Sequence, residues 1–490
     1  MGFAVQGDGR MGWLWKLLAV LAMLAGLSRM ATHRQERAEP MAKRTAASVP
    51  RWVAATALAP AATPRLLAAV ETASVGYSLD VYRVYATPPS WSYGCCEAYP
   101  TYVAAEAADI TGDGRGDVVT VVSEMPPPAS LRVFVMPQLA DGSLGAAVHH
   151  MLPEGYAQYG AFVGTAKGDL NNDGAPDLVV TRQFALNLVL SDGHGGLIGK
   201  EHPATTMTVD VAAVTLDIDL DGNLDIVAHT SKGYGQTPSD PQSRLVMFFG
   251  DGRGGIAGQS SIVTGVVDPH DLQLAKAMVT GDFNWDGLPD LAILFREFDY
   301  WAQFYRSPIK VFLNDGAGSF LPPYTAAENP LLTQLAAGDF NKDGRVDLAA
   351  VDNSTMPLET RVWVYKQSSN GRVEGPPMTY PSYTSGGALD VADLDRDGAS
   401  DLVVAFDGQL KLGYYLQKNG ALGLPVYRDM NAHPSSRFGP SSQGIGDING
   451  DGCNDLAVAA TFGGLWILRG SGCNAPPLAG PCQMAEPYRE

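Results

Sequence analysis

Residues 339–347 read Asp339-Phe340-Asn341-Lys342-Asp343-Gly344-Arg345-Val346-Asp347 and run directly into Leu348-Ala349-Ala350-Val351. The nine residues put Asp at positions 1, 5 and 9, Asn at position 3 and Gly at position 6. The same frame recurs at 109–117, 169–177, 217–225, 282–290, 393–401 and 447–455. Successive starts lie 60, 48, 65, 57, 54 and 54 residues apart. Self-similarity at a fixed spacing marks a repeat architecture. This period is too long for one coil of a solenoid and suits four strands with their loops.

The flanks agree. A small or apolar stretch precedes each loop, as at 102–108 and 332–337, and a β-rich run follows it, as in Val118-Val119-Thr120-Val121-Val122. A third run comes next, for example Leu131 to Met136 and Val362 to Tyr365. Turn signals then precede a fourth, at Asp141-Gly142, Asp192-Gly193, Asp251-Gly252 and Asn314-Asp315-Gly316. Seven such units predict an all-β fold: a seven-bladed β-propeller of four-stranded antiparallel blades, with an aspartate loop in each blade.

The loop chemistry points to calcium. Ca²⁺ takes six to eight oxygen ligands, and side chains at positions 1, 3 and 5 of a tight loop can converge on it with a backbone carbonyl from position 7. Glycine at position 6 supplies a positive φ, and a carboxylate at position 9 closes the shell. The candidate ligands are Asp109, Thr111, Asp113 and Asp117; Asp169, Asn171, Asp173 and Asp177; Asp217, Asp219, Asp221 and Asp225; and Asp282, Asn284, Asp286 and Asp290. The last three loops add Asp339, Asn341, Asp343 and Asp347; Asp393, Asp395, Asp397 and Asp401; and Asp447, Asn449, Asp451 and Asp455. Thr111 makes the first site the weakest of the set. An EF-hand would need an acid at position 12, where this chain has Thr120, Val180, Ala228, Ile293, Ala350, Val404 and Val458. Single Asp-Gly turns are ordinary β-protein features, but seven in one phase concentrate charges that repel without a cation. About seven Ca²⁺ per chain would offset most of the formal net charge of −18.

The pattern D-x-[DN]-x-D-G-x-x-D, framed by two strands, resembles the FG-GAP/VCBS repeat family, which includes the propeller head of integrin α chains and many exported bacterial proteins. The resemblance spans roughly residues 100 to 470. It implies calcium in the loop between the first and second strands of each blade, and no single activity.

The remaining sequence bounds the function. The negative charge argues against a nucleic-acid partner. Arg10 and Lys16 precede an apolar run from Leu17 to Leu27, about half a membrane span, so residues 1–28 read as a signal peptide and no stable membrane span is expected. Residues 29–76 read as a linker, 77–470 as the propeller and 471–490 as a tail. The protein is therefore expected to be secreted, periplasmic or on the cell surface, where Cys95, Cys96, Cys453, Cys473 and Cys482 can form disulfides. Tyr77 to Tyr85 alternates like a strand and precedes the first repeat, whereas the last repeat runs into Pro476 and Pro477. This stretch is predicted to supply the outer strand of the last blade, which would bring Cys95 or Cys96 near Cys453, Cys473 or Cys482.

No catalytic constellation stands out: His270 and His433 are isolated loop histidines, and Arg115-Gly116-Asp117 is an adhesive tripeptide whose Asp is already a loop ligand. The expected role is a binding or adhesion module for an extracellular glycan or protein. A lyase-like polysaccharide enzyme and a structural subunit of a surface assembly are the alternatives. The candidate ligand surface is the loop after the second strand of the fourth blade, with Tyr300, Trp301, Tyr305 and Arg306, opposite the calcium loops.

Overall fold

The computed structural model describes residues 77–85, 91–93, 96–98, 101–124, 130–152, 164–182, 185–203, 208–231, 243–264, 272–299, 304–329, 331–353, 360–384, 386–406, 411–430, 440–460 and 464–474. The expected signal peptide and linker, residues 475–490 of the expected tail, Cys95, the histidines 270 and 433, and Tyr300 and Trp301 lie outside these residues.

Seven four-stranded antiparallel sheets form a seven-bladed β-propeller. In the fifth blade the strands run Leu332–Gly338, Asp347–Asp352, Arg361–Tyr365 and Met378–Pro381, from innermost to outermost. Six blades use consecutive chain segments in this way. The seventh consists of Pro440–Gly446, Asp455–Ala460 and Gly464–Ser471, and its outermost strand is Ser78–Tyr85. That strand pairs antiparallel from Ser78 opposite Ser471 to Tyr85 opposite Leu465. The N-terminal strand thus closes the ring and covers a sheet edge that would otherwise be open.

The core is divided into seven wedges, each between two adjacent blades. One holds Phe340, Val351, Val362 and Val364 of the fifth blade against Leu402, Val404, Phe406 and Tyr415 of the sixth. The closing wedge between the sixth and seventh blades takes in Tyr77 and Leu79 with Leu412, Tyr414 and Trp466. This explains the continuous apolar runs after each loop. A second strand lies between two neighbouring blades and is buried on both faces, as in Asp347–Asp352 and Asp401–Phe406. Outer strands meet solvent and are polar, as in Ile256–Val263.

One expectation is corrected in detail. The segment after the second strand of the fourth blade is not a free loop at its base. That strand continues to Asp299, and Phe304–Arg306 folds back on it with Tyr305 opposite Phe298. Among the described residues the disulfide joins Cys453 to Cys473, with Cα atoms 5.6 Å apart, within the last blade; Cys95 and Cys482 lie outside the described residues. Both cysteines lie at the loop end of the blade, Cys453 in the aspartate loop and Cys473 just beyond the third strand. Among the described residues no helix is long and apolar enough to cross a membrane.

Candidate metal centres

Each aspartate loop joins the first strand of a blade to the second, so all seven lie on one face of the disc. The fourth loop shows how the side chains are held. Asp282, at position 1, accepts hydrogen bonds from the backbone N–H of Asp286 at 3.1 Å and of Gly287 at 2.9 Å. Asp286, at position 5, accepts from Leu288 N at 2.9 Å and Asn284 Nδ2 at 2.7 Å. The position-1 carboxylate is bonded to the position-6 N–H in all seven loops.

Glycine at position 6 has φ between 79° and 91° in every loop. At Gly287 an added Cβ would meet nothing within 4 Å, so the backbone conformation and not space requires glycine. Position 4 is left-handed as well, a feature the sequence reading missed. It is Asn172, Leu220, Trp285, Lys342 and Arg396 in five loops and glycine at 112 and 450 in the others. Glycine and Asn at three of seven position-4 sites were the available signal.

Position 9 does more than the ligand role expected of it. Asp290 is fully buried. Its two oxygens accept the backbone N–H of Phe283 at 2.9 Å and of Asn314 at 2.8 Å. The first partner lies in the loop and the second at the end of the third strand, so the carboxylate clamps the loop onto its own blade. Asp177, Asp225, Asp401 and Asp455 do the same. Burial, against the backing of the other loop carboxylates, pushes these carboxyl groups up: Asp177 and Asp290 to about 6, and Asp347, Asp401 and Asp455 to about 7. Asp117 is equally buried, so the Arg-Gly-Asp tripeptide is not presented to a partner.

The donor set fits a hard cation. Asp217, Asp219 and Asp225 bring three carboxylate oxygens within 4.8 Å of one another, and so do Asp393, Asp395 and Asp401. Among the described residues four loop oxygens are buried without a hydrogen-bond partner: Thr111 Oγ1 in the first loop, Asn341 Oδ1 and Asp347 Oδ2 in the fifth and Asp395 Oδ1 in the sixth. Buried acceptors are normally satisfied, and here all four are at positions 3 and 9, where oxygens are needed for an ion.

Five of the loops are also tied by a hydrogen bond to the blade that follows them round the ring. Ser191 Oγ donates to Ile110 O at 2.6 Å, Gly254 N to Leu170 O at 3.0 Å, and Gln367 Nε2 to Asp282 O at 3.0 Å. Gln417 Nε2 donates to Asp339 O at 2.6 Å and Gln138 Nε2 to Asp447 O at 3.3 Å. These bonds join residues about 80 positions apart in four cases and 309 apart across the ring closure in the fifth, so no local pattern announces them.

The candidate ligand surface is only partly described. Tyr305 is half exposed, stacks on Phe298 at 4.6 Å between ring centroids and carries the Arg296 guanidinium 4.5 Å from its own. Arg306 faces Glu297 at 3.6 Å. Phe304 beside them is 50% exposed.

Fold and loops together define a propeller with a repeated acidic loop on one face. FG-GAP-like repeat matches cover residues 169–228, 282–350 and 339–404, and an FG-GAP repeat match covers 438–474. The chain thus carries FG-GAP repeats over these segments. It is similar to integrin alpha-3 of Mus musculus, 35% identical over 122 residues that make up 21% of this chain and 11% of that protein. Human integrin alpha-7 is 38% identical over 113 residues, covering 21% of this chain and 9% of the relative. Human phosphatidylinositol-glycan-specific phospholipase D is 38% identical over 99 residues, covering 17% and 12%. The similarity thus spans about a tenth of the length of these relatives.

Proposed function

We propose that this chain is an exported calcium-binding propeller that acts as a binding or adhesion module for an extracellular glycan or protein. The observation that carries the metal reading is the repetition of one loop geometry seven times, with buried acceptor oxygens left over at positions 3 and 9. In each loop the side-chain oxygens at positions 1, 3, 5 and 9 would hold the ion, with the position-7 carbonyl. A bound divalent cation neutralises the clustered carboxylates and so stiffens the face that carries them. The resemblance to integrin alpha chains supports an adhesive role and a location outside the cytoplasm.

The ligand surface proposed is the opposite face, centred on the segment after the second strand of the fourth blade, with Tyr300, Trp301, Tyr305 and Arg306. An aromatic ring beside cations on an acidic protein suits stacking on a sugar or a protein hot spot. Metal analysis in millimolar calcium is expected to give about seven ions per chain, and two or fewer would end the calcium reading. A glycan array probed with and without calcium tests the ligand class. Trp301→Ala and Tyr305→Ala are expected to lose binding with calcium content unchanged. Equal loss of melting temperature in both variants would make these aromatics structural.

A further inference from the structure

In every blade a backbone N–H at the end of the third strand binds the ninth-position carboxylate, so the next residue stands in the same place beside the loop. In chain order that residue is Leu139, Asp192, Asp251, Asp315, Ser368, Lys418 and Ser471. The sixth alone is a cation. Lys418 Nζ lies 2.5 Å from Asp395 Oδ2 and 2.6 Å from Asp397 Oδ2, the carboxylates at positions 3 and 5. Those are two of the groups that would hold an ion in this loop.

We propose that Lys418 is a built-in cation occupying the sixth loop, so that calcium enters this loop only by displacing the ammonium group. The chain then has two classes of calcium site, with the sixth loop weaker than the third. This inference rests on the calcium reading above.

The third loop is the internal comparison. It and the sixth are the two loops with Asp at position 3, and both gather three carboxylate oxygens within 4.8 Å. The residue matching Lys418 in the third blade is Asp251, whose carboxylate caps its own turn through Arg253 N and Gly255 N, both at 2.8 Å. Of these two loops of equal acid content, only the sixth has an ammonium group across its position-3 and position-5 carboxylates; it also has Arg396 at position 4, where the third has Leu220.

The sixth loop is also held without an ion. Asn454 Nδ2 donates to Asp393 O at 2.8 Å, and Asn474 N donates to Asp395 O at 2.8 Å. Asn474 follows Cys473, whose disulfide fixes it to the seventh loop. Lysine does not fill the site completely. An ammonium offers three donors against six to eight ligand positions for calcium, and Asp395 Oδ1 remains buried without a partner. Displacement is thus possible at higher calcium. Because the Lys418 side chain is half exposed, its ion pairs are screened, and the penalty corresponds to an affinity about tenfold weaker than that of the third loop.

Terbium luminescence can read single loops, because a Trp at position 4 stands beside the ion. Trp285 does so for the fourth loop and is 69% exposed in the left-handed conformation. In the full chain, Trp285→Phe silences that loop and Arg396→Trp installs the reporter in the sixth. Adding Lys418→Gln is expected to lower the terbium half-saturation at the Arg396→Trp reporter about tenfold, with the same shift in the calcium that competes it away. Lys418→Arg keeps the weak midpoint, and Lys418→Met serves if the Gln variant folds poorly. The native Trp285 reporter should not move with Lys418→Gln. An unchanged midpoint at the sixth-loop reporter in both Lys418→Gln and Lys418→Met overturns the proposal while leaving calcium binding intact. Absence of a metal-dependent signal from the Trp285 reporter overturns the calcium reading and this proposal with it.

Discussion

Asp286→Ala separates the two things a loop carboxylate can do. Asp286 is exposed and accepts two local hydrogen bonds, from Leu288 N and Asn284 Nδ2. Exposed bonds of this kind contribute about 0.5 kcal/mol each, the low end of the usual range. Its negative charge also opposes ionisation of buried Asp290, and this repulsion is lifted on substitution. In chelator the two effects offset, so the melting temperature is expected to be unchanged or slightly higher. In calcium the outcome reverses. A site with a dissociation constant on the order of 10⁻⁴ M, filled at about 5 mM calcium, stabilises the fold by about 2.3 kcal/mol through mass action. Losing that site should lower the melting temperature by about 2–3 °C for a domain of this size.

The assay is differential scanning calorimetry of wild type and Asp286→Ala, each in calcium and in chelator, with calcium content measured on the same samples. The variant should hold one ion fewer. An equal drop in melting temperature in both conditions would refute the reasoning, because it would mean that the carboxylates support the fold directly and no ion mediates the effect.

The metal-free protein should be more stable at pH 5 than at pH 8. The ninth-position carboxyls are raised to about 6–7 in the fold against about 4 unfolded. The folded state therefore binds the extra protons, and stability falls as pH rises from about 4 to about 7; thermal melts in chelator at the two pH values check this. Leu79→Ala should cost about 2–5 kcal/mol in urea unfolding, since Leu79 is fully buried in the closing wedge; a near-neutral result would mean the N-terminal strand does not close the ring. Reducing the Cys453–Cys473 bond, which spans 20 residues, should destabilise by about 3 kcal/mol and raise the half-saturating calcium of the seventh loop, read by terbium with a Gly450→Trp reporter.

What the sequence disclosed follows from which interactions are local. The seven loops were legible because position-1 and position-5 carboxylates bond N–H groups within five residues, so the whole motif lies in nine residues. The closing strand was legible because Tyr77 to Tyr85 alternates and had no repeat of its own to join. The second job of position 9 was hidden, because Asp290 reaches Asn314, 24 positions away. The loop-to-blade bonds of Gln138, Gln367 and Gln417 were hidden for the same reason. The fourth-blade hairpin was missed because Arg296 to Asp299 is polar and aromatic without clean alternation, and its pairing depends on Phe304 to Arg306 folding back. The sequence also could not tell Cys473 from Cys482 as the partner of Cys453, since spacing alone does not place either beside the seventh loop.

The closing strand also accounts for the oddity of the sixth loop. In most blades a hairpin between the third and fourth strands leans on the preceding loop. Gly420 of the sixth blade approaches the fifth loop so closely that a Cβ there would lie 2.7 Å from Asn341 O. The seventh blade has no such hairpin, because its fourth strand comes from the N-terminal end of the propeller. The sixth loop therefore lacks the support its counterparts receive. Three contacts stand in its place: Asn454, the strap Cys473-Asn474 fixed by the disulfide, and Lys418 across Asp395 and Asp397. A ring closed by joining its ends leaves one loop without a hairpin, and covalent and ionic contacts from the chain itself hold the loop at that point.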